Sequence, residues 1–270
     1  MKRVALCLVV GWLFVGLTVG ATTIVSTHAV LGEFAQQVGG EVVEVVTIIP
    51  SGFCPAQYDL SPSDLTAVLD ASVILYSGFE PWIETLADAA GSKAVVLQLP
   101  GEWNTPHTAT AKVEAIRDLF VERFPENADQ FATNARTYIE ELQQLGDRLL
   151  DLAESAGVGD VAVVCMEWQT EFVAWLGFDI AERYGIPAKL SIRDLIDLAD
   201  AGRGAGAQLV IDNLQSGVNF GAKLAREIGA VHVTLSNFPG AMPSTATVLD
   251  LLLRNAEALC SAIEPLTQED

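Results

Sequence analysis

Apolar positions Phe131, Ala135, Tyr138, Leu142, Leu145, Leu149 and Leu152 recur alternately four and three residues apart within residues 125–156. That rhythm keeps one apolar stripe on one face of an α-helix and leaves Arg, Glu, Gln and Asp on the others. Pro125 suits a first helical turn, Glu126 and Asp129 sit at its positive end, and Gly157 is placed to stop it. About thirty residues at roughly 1.5 Å each make a rod of about 45 Å. The pattern lasts too few heptads for a coiled coil and lies between strand-like runs. It reads as a spine joining two α/β lobes.

The flanking patterns agree. Before the spine, strand-like runs at 23–27, 42–49, 73–76 and 94–97 alternate with helical patterns at 29–38, 61–70, 81–90 and 109–123. Ser61-Pro62-Ser63-Asp64 is a compact helix start, with Ser61 as cap and Pro62 in the first position. After the spine, strands at 161–165, 208–212 and 231–235 alternate with helices at 170–184, 191–201, 218–228 and 244–263. Such alternation predicts mainly parallel sheets with helices on both faces. The expected architecture is therefore two doubly wound α/β lobes, residues 22–124 and 158–270, joined by the helix at 125–157. A ligand in such a fold sits in the crevice beyond the carboxyl ends of the strands. The loops to inspect are thus 27–28, 52–58, 77–81, 100–107, 165–169, 213–216 and 236–244.

Met1-Lys2-Arg3, the apolar run at 4–19 and small residues Val19 and Ala21 have the form of a secretory signal peptide cleaved after Ala21. Cys7 lacks the context of a lipidation site, so a protein exported to the periplasm or cell exterior without a lipid anchor is expected. Cleavage removes two basic residues and no acid from a net charge of −20, leaving about −22. A chain this acidic will not track nucleic acid or an anionic membrane. Three cysteines remain, Cys54, Cys165 and Cys260, so this is no disulfide scaffold.

The loop PSGFCPAQYDLSPSD (Pro50 to Asp64), the strand at 73–76 and Gly78-Phe-Glu-Pro-Trp82 resemble the metal-binding solute receptors of zinc/manganese ABC importers. The resemblance continues through the spine, Tyr184-Gly185-Ile186, the stretch at 213–229 with Lys223-Leu-Ala-Arg-Glu, and the closing helix with Asn255. It implies two lobes on a rigid helix, a monomeric receptor, a zinc or manganese ion held between the lobes, and delivery to a membrane permease driven by an ATPase.

The implied ligands carry over incompletely. Where the family has its first His, this chain has Ala56 in Cys54-Pro55-Ala56-Gln57-Tyr58. Thr105-Pro106-His107 matches the second, making His107 the leading carried-over ligand, and Glu167 aligns with the third position. The fourth, an acid, falls near Thr245-Ala246, and no acid stands between Val233 and Val248. Zinc and manganese need about four to six donors. Compensating donors are sought in Cys54, Cys165, Met166 and His28. A set drawn from Cys54, His107, Cys165 and Met166 is soft and suits Cu(I) or Zn over Mn. Against this, Cys165 ends an apolar strand and equally suits a core cysteine, a Cys54–Cys165 disulfide would consume both thiols, and His232 alternates within a strand as a structural residue does.

Trp103, Trp168 and Trp175, with Gln57, Gln169, Asn213 and Gln215, are the groups that small-molecule pockets use. The same receptor fold holding a chelated metal or small organic ligand is the alternative, followed by a ligand-free adhesion or scaffold protein. Catalytic signatures are missing: the chain has neither Gly-x-Ser-x-Gly nor Cys-x-x-Cys, and Gly202-Arg-Gly-Ala-Gly206 precedes a strand and lacks the Lys of a phosphate loop.

Overall fold

The computed structural model describes residues 21–263; the signal-peptide expectation, apart from Ala21, and the chain after Pro265 lie outside the described residues. Four strands, β1 (Thr22–Ser26), β2 (Val43–Thr47), β3 (Val73–Tyr76) and β4 (Val95–Gln98), form one parallel sheet in the order β2-β1-β3-β4. Helices α1 (Ala29–Gly39), α2 (Pro62–Asp70), α3 (Ile83–Ala90) and α4 (Pro106–Arg123) follow them in turn. The spine is α5 (Ala128–Ala156), entered through a short 3₁₀ turn at Pro125–Asn127 and ended by Gly157 in the left-handed region. Beyond it, β5 (Ala162–Met166), β6 (Asp179–Tyr184), β7 (Leu209–Asn213) and β8 (Val231–Leu235) alternate with α6 (Thr170–Trp175), α7 (Ile192–Gly204), α8 (Asn219–Ile228) and α9 (Val248–Ile263). Their sheet is also parallel, in the order β6-β5-β7-β8.

Each lobe is thus the same four-strand, four-helix unit with the same strand order. One element departs from the sequence expectation. The helix expected over 170–184 ends at Trp175, and its second half is β6. Gly177 at φ 104° reverses the chain, and Asp179-Ile-Ala-Glu-Arg-Tyr184 then pairs along one edge of β5. An edge strand that keeps one side in water carries Asp, Glu and Arg, so its composition resembles a helix surface.

Three apolar clusters show how the lobes are joined. Val25, Ile74 and Val68 belong to a small cluster under α2 and α3, and Val164, Val210 and Leu224 to its counterpart under α7 and α8. The inner faces of both sheets instead share one continuous core, from Ile24 and Phe34 through Phe120, Phe131, Tyr138 and Leu149 to Val163, Leu209 and Leu252. The spine's stripe is buried in it at Phe131, Ala135, Tyr138, Leu142, Leu145 and Leu149. Gly146 lets the spine approach α4 closely: a Cβ there would stand 2.8 Å from Pro106 Cγ. Burial of this stripe in a common core makes the spine a strut rather than a hinge.

Candidate functional site

The loops leaving seven of the eight strands, all but β1, line a cavity of about 410 Å³ between the lobes. Lobe one contributes Cys54, Ala56, Gln57, Phe79, Glu102 and Trp103, and lobe two contributes Trp168, Lys189, Asn213, Gln215, Asn237 and Phe238. One wall is aromatic. Phe79 meets Trp168 edge-on at 5.2 Å between ring centroids, and Trp103 stacks on Phe238 at 5.7 Å. The rest is amide-rich, with Gln57, Asn213, Gln215 and Asn237.

Hydrogen bonds latch the two lobes across this floor. The Trp103 indole Nε1–H donates to the Asn237 carbonyl (3.0 Å), Asn104 Nδ2 to the Trp168 carbonyl (3.3 Å), and Gln215 Nε2 to the Ser51 carbonyl (3.1 Å). Gln215 is itself positioned by Ser236 Oγ and by the Asn237 N–H. Asn255 on α9 closes the chain by exchanging two hydrogen bonds with the Ser236 backbone. Lys112, nearly buried, donates to the carbonyls of Leu99 and Pro100 and so fixes the loop that presents Glu102 and Trp103.

Burial sets the electrostatics. Glu102 is pushed up to about 7, first by desolvation and then by the carboxylates of Glu171 and Glu167, against the pull of Lys112. Behind the aromatic wall, His28 is held down at about 3 by desolvation, helped by the Lys112 charge. Its ring lies 4.8 Å from Trp103 and 5.1 Å from Phe238, with Nε2 hydrogen-bonded to Ser77 Oγ and Nδ1 without a partner. Asn104 Oδ1, Gln169 Oε1 and Asn213 Nδ2 are likewise buried and unpartnered among the described residues. Asn213 is part of the cavity wall, and the other three contact wall residues: His28 packs on Trp103 and Phe238, Asn104 donates to the Trp168 carbonyl, and Gln169 donates to Asn237 Oδ1.

The residues expected from sequence separate into three groups. Cys54, Gln57 and Gln215 line the cavity, as does Ala56. His28 and Cys165 are buried and not part of the wall, and burial pushes the Cys165 thiol up to about 12. Cys54 and Cys165 are free thiols. His107 and Glu167 lie outside the wall and are exposed. Thr105 caps α4 and Pro106 opens it, which puts His107 in an exposed first turn. The Glu167 carboxylate lies on the side of Gly185 where a side chain would project, 3.6 Å from the position a Cβ would take. The two leading ligand candidates are therefore not brought together with the thiols. Trp103 and Trp168 reach the cavity, whereas Trp175 stacks on Phe172 in the shared core. His232 is structural, its Nε2 bonded to the buried Asp212 carboxylate at 2.7 Å.

Wall residues that sequence reasoning did not assign to the site include Glu102, Phe79, Asn237, Phe238, Ile186 and Lys189. The first four lie in loops that the strand pattern had marked; the last two follow the unforeseen strand β6. Among the described residues no three His, Cys, Asp or Glu side chains gather as a metal-binding group. No helix of the described residues is long and apolar enough to cross a membrane.

Residues 24–262 match the family model for the periplasmic zinc-uptake complex component A. A manganese-binding lipoprotein MntA of Halalkalibacterium halodurans is 32% identical over 145 residues, covering 47% of this chain and 48% of the relative. The zinc-binding lipoprotein AdcA of Streptococcus pneumoniae is 29% identical over 158 residues, 47% of this chain and 32% of its own. The chain thus spans about half or less of the length of these two curated relatives. Among solved structures, a Mn-bound periplasmic metal-binding protein from Candidatus Liberibacter asiaticus superposes with a TM-score of 0.79 at 17% identity, over 90% of this chain and 99% of that one. A zinc-bound ZnuA deletion mutant gives 0.76 at 21% identity, over 90% and 98%. At such identities these two likenesses establish the fold.

Proposed function

We propose, from the premise that this chain belongs to the periplasmic zinc-uptake component A family, that it is the extracytoplasmic solute receptor of an ABC importer with a transition metal as cargo. The observation that carries this reading is the cavity itself, walled by post-strand loops of both lobes and floored by hydrogen bonds between them. Zinc and manganese are the cargoes that the relatives' names point to, and a thiol at the wall, Cys54, admits Cu(I).

The geometry suits capture without chemistry. The shared core and the buried spine restrict the lobes to small movements, so the work of opening and closing falls to the loops. Those loops are joined through Trp103, Asn104 and Gln215, whose hydrogen bonds must loosen for cargo to leave toward the permease. A monomer delivering to a permease and its ATPase is the working assembly, and no catalytic step is assigned. The test is metal accumulation in cells with and without the chain. A several-fold lower uptake of labelled Zn²⁺ or Mn²⁺ from limiting medium is expected on deletion. Unchanged accumulation of every transition metal would overturn the reading.

A further inference from the structure

We infer that the cargo enters this cleft as a preformed, neutral, flat chelate, in which an organic ligand rather than the protein supplies most of the metal's donors. This rests on the receptor reading above and concerns the form of the cargo alone.

Donor chemistry comes first. A zinc or manganese ion held by protein needs about four to six N, O or S donors. The wall brings Cys54 and Glu102. His28 is sealed behind Trp103 and Phe238, His232 is tied to Asp212, and His107 and Glu167 stand outside. The residues present do not fit a bare ion.

Size and wall chemistry fit something larger. A volume of 410 Å³ is the share of on the order of a dozen water molecules, within the range of organic-ligand pockets. The aromatic side, Phe79, Trp103, Trp168 and Phe238, offers flat apolar surface for a planar ligand. The amide side is suited to the carboxylate oxygens of a chelating acid. One donor there already wants an acceptor: Asn213 is 1% exposed, its Oδ1 is held by the Ser216 N–H and hydroxyl, and its Nδ2 has no partner among the described residues.

Charge selects neutrality. The chain carries −20 overall and repels an anionic complex, while a bare dication would require more carboxylate, thiolate or imidazole donors than the two, Cys54 and Glu102, that the wall brings. A divalent metal with two monoanionic bidentate ligands avoids both penalties.

The experiment uses the reduced, metal-stripped full chain and three probes: Zn²⁺ or Mn²⁺ alone, picolinate alone, and their neutral bis-picolinate complexes in excess picolinate. Tryptophan fluorescence reports occupancy next to Trp103 and Trp168, and equilibrium dialysis reports retained metal. The complex is expected to bind at least ten-fold more tightly than either component. Trp168→Ala should lose at least ten-fold of that binding and Trp168→Phe should restore most of it, with unchanged circular dichroism. Equal binding of the bare ion would overturn the inference and leave the receptor reading standing with directly ligated metal. Equal binding of picolinate alone, or no binding of any complex, would also overturn it, and the accumulation assay then decides the receptor reading separately.

Discussion

Glu33 and Val248 stand 215 positions apart in the chain, yet the Glu33 carboxylate accepts the Val248 backbone N–H at 2.7 Å. Glu33 lies on α1 of lobe one and Val248 is the first residue of α9 in lobe two. The second carboxylate oxygen accepts the Tyr138 hydroxyl of the spine at 2.8 Å. One side chain therefore ties both lobes and the helix between them, and does so at a helix N-terminus, where a negative charge is favoured. Burial raises the Glu33 pKa, while the Tyr138 and Val248 hydrogen bonds oppose the rise.

Replacing Glu33 should accordingly weaken the whole molecule rather than one lobe. Glu33→Ala strands the Tyr138 hydroxyl and the Val248 N–H and should cost about 2–3 kcal/mol. Glu33→Gln keeps a single acceptor oxygen and should fall between wild type and Ala. Urea melts followed by circular dichroism would measure both. A Glu33→Ala midpoint equal to wild type would show the tie to be incidental.

The history of the cleft residues shows which signals a sequence carries. Strand-helix alternation marked the post-strand loops, and the structure draws wall residues from every one of them except 27–28. The charged edge of β6 imitates a helix face, so the loop after it is not marked as a post-strand loop, although it supplies Ile186, Ala188 and Lys189 to the wall. His107 lies outside the wall for a different reason. Thr105-Pro106 is the same cap-and-proline start as Ser61-Pro62, and read that way it places His107 on an exposed first turn. The repetition of strand order between the lobes was not legible at all, because hydrogen-bonding topology leaves no residue-level trace.

His28 makes stability fall in acid. Its folded pKa of about 3 lies below the unfolded value of 6.5, so the unfolded chain binds the extra proton between those limits. Its contribution is complete above about pH 6.5 and is lost as pH falls toward 3. His28→Gln, which cannot be protonated, should flatten the melting temperature between pH 6.5 and 4 relative to wild type. An unchanged slope would remove His28 from the acid response.

Glu102 acts in the opposite direction. Its pKa, raised to about 7, makes the folded state hold a proton that the unfolded chain releases near 4.5. Stability is therefore lost as pH rises from about 4.5 through 7. Glu102→Gln should raise the melting temperature at pH 8 and leave it little changed at pH 4.5. A variant no more stable than wild type at pH 8 would refute the assignment.

Gly221 tests the buried carboxylate beneath lobe two. Asp212 is fully buried and accepts hydrogen bonds from His232 and from the Tyr184 hydroxyl, and a Cβ at 221 would stand 2.1 Å from its Oδ2. Gly221→Ala must move either α8 or the carboxylate. Overpacking of this kind costs about 1–3 kcal/mol. A chemical melt with no loss of stability would mean that the helix shifts freely there.

Trp103 separates packing from latching. Its ring stacks on Phe238 and covers His28, and its indole N–H reaches across the lobes to the Asn237 carbonyl. Trp103→Phe retains an aromatic ring on Phe238 but removes the donor, leaving the Asn237 carbonyl to find another. The expected loss is about 1 kcal/mol in a urea melt with an unchanged m-value. Trp103→Ala also opens a void in the wall and should cost about 3–5 kcal/mol. The difference between the two substitutions measures packing, and the Phe variant alone measures the latch. If Trp103→Phe is as stable as wild type, the interlobe hydrogen bond contributes nothing net to stability. The floor of the cleft would then be held by aromatic contact, and cargo entry would need no hydrogen bond broken at Trp103.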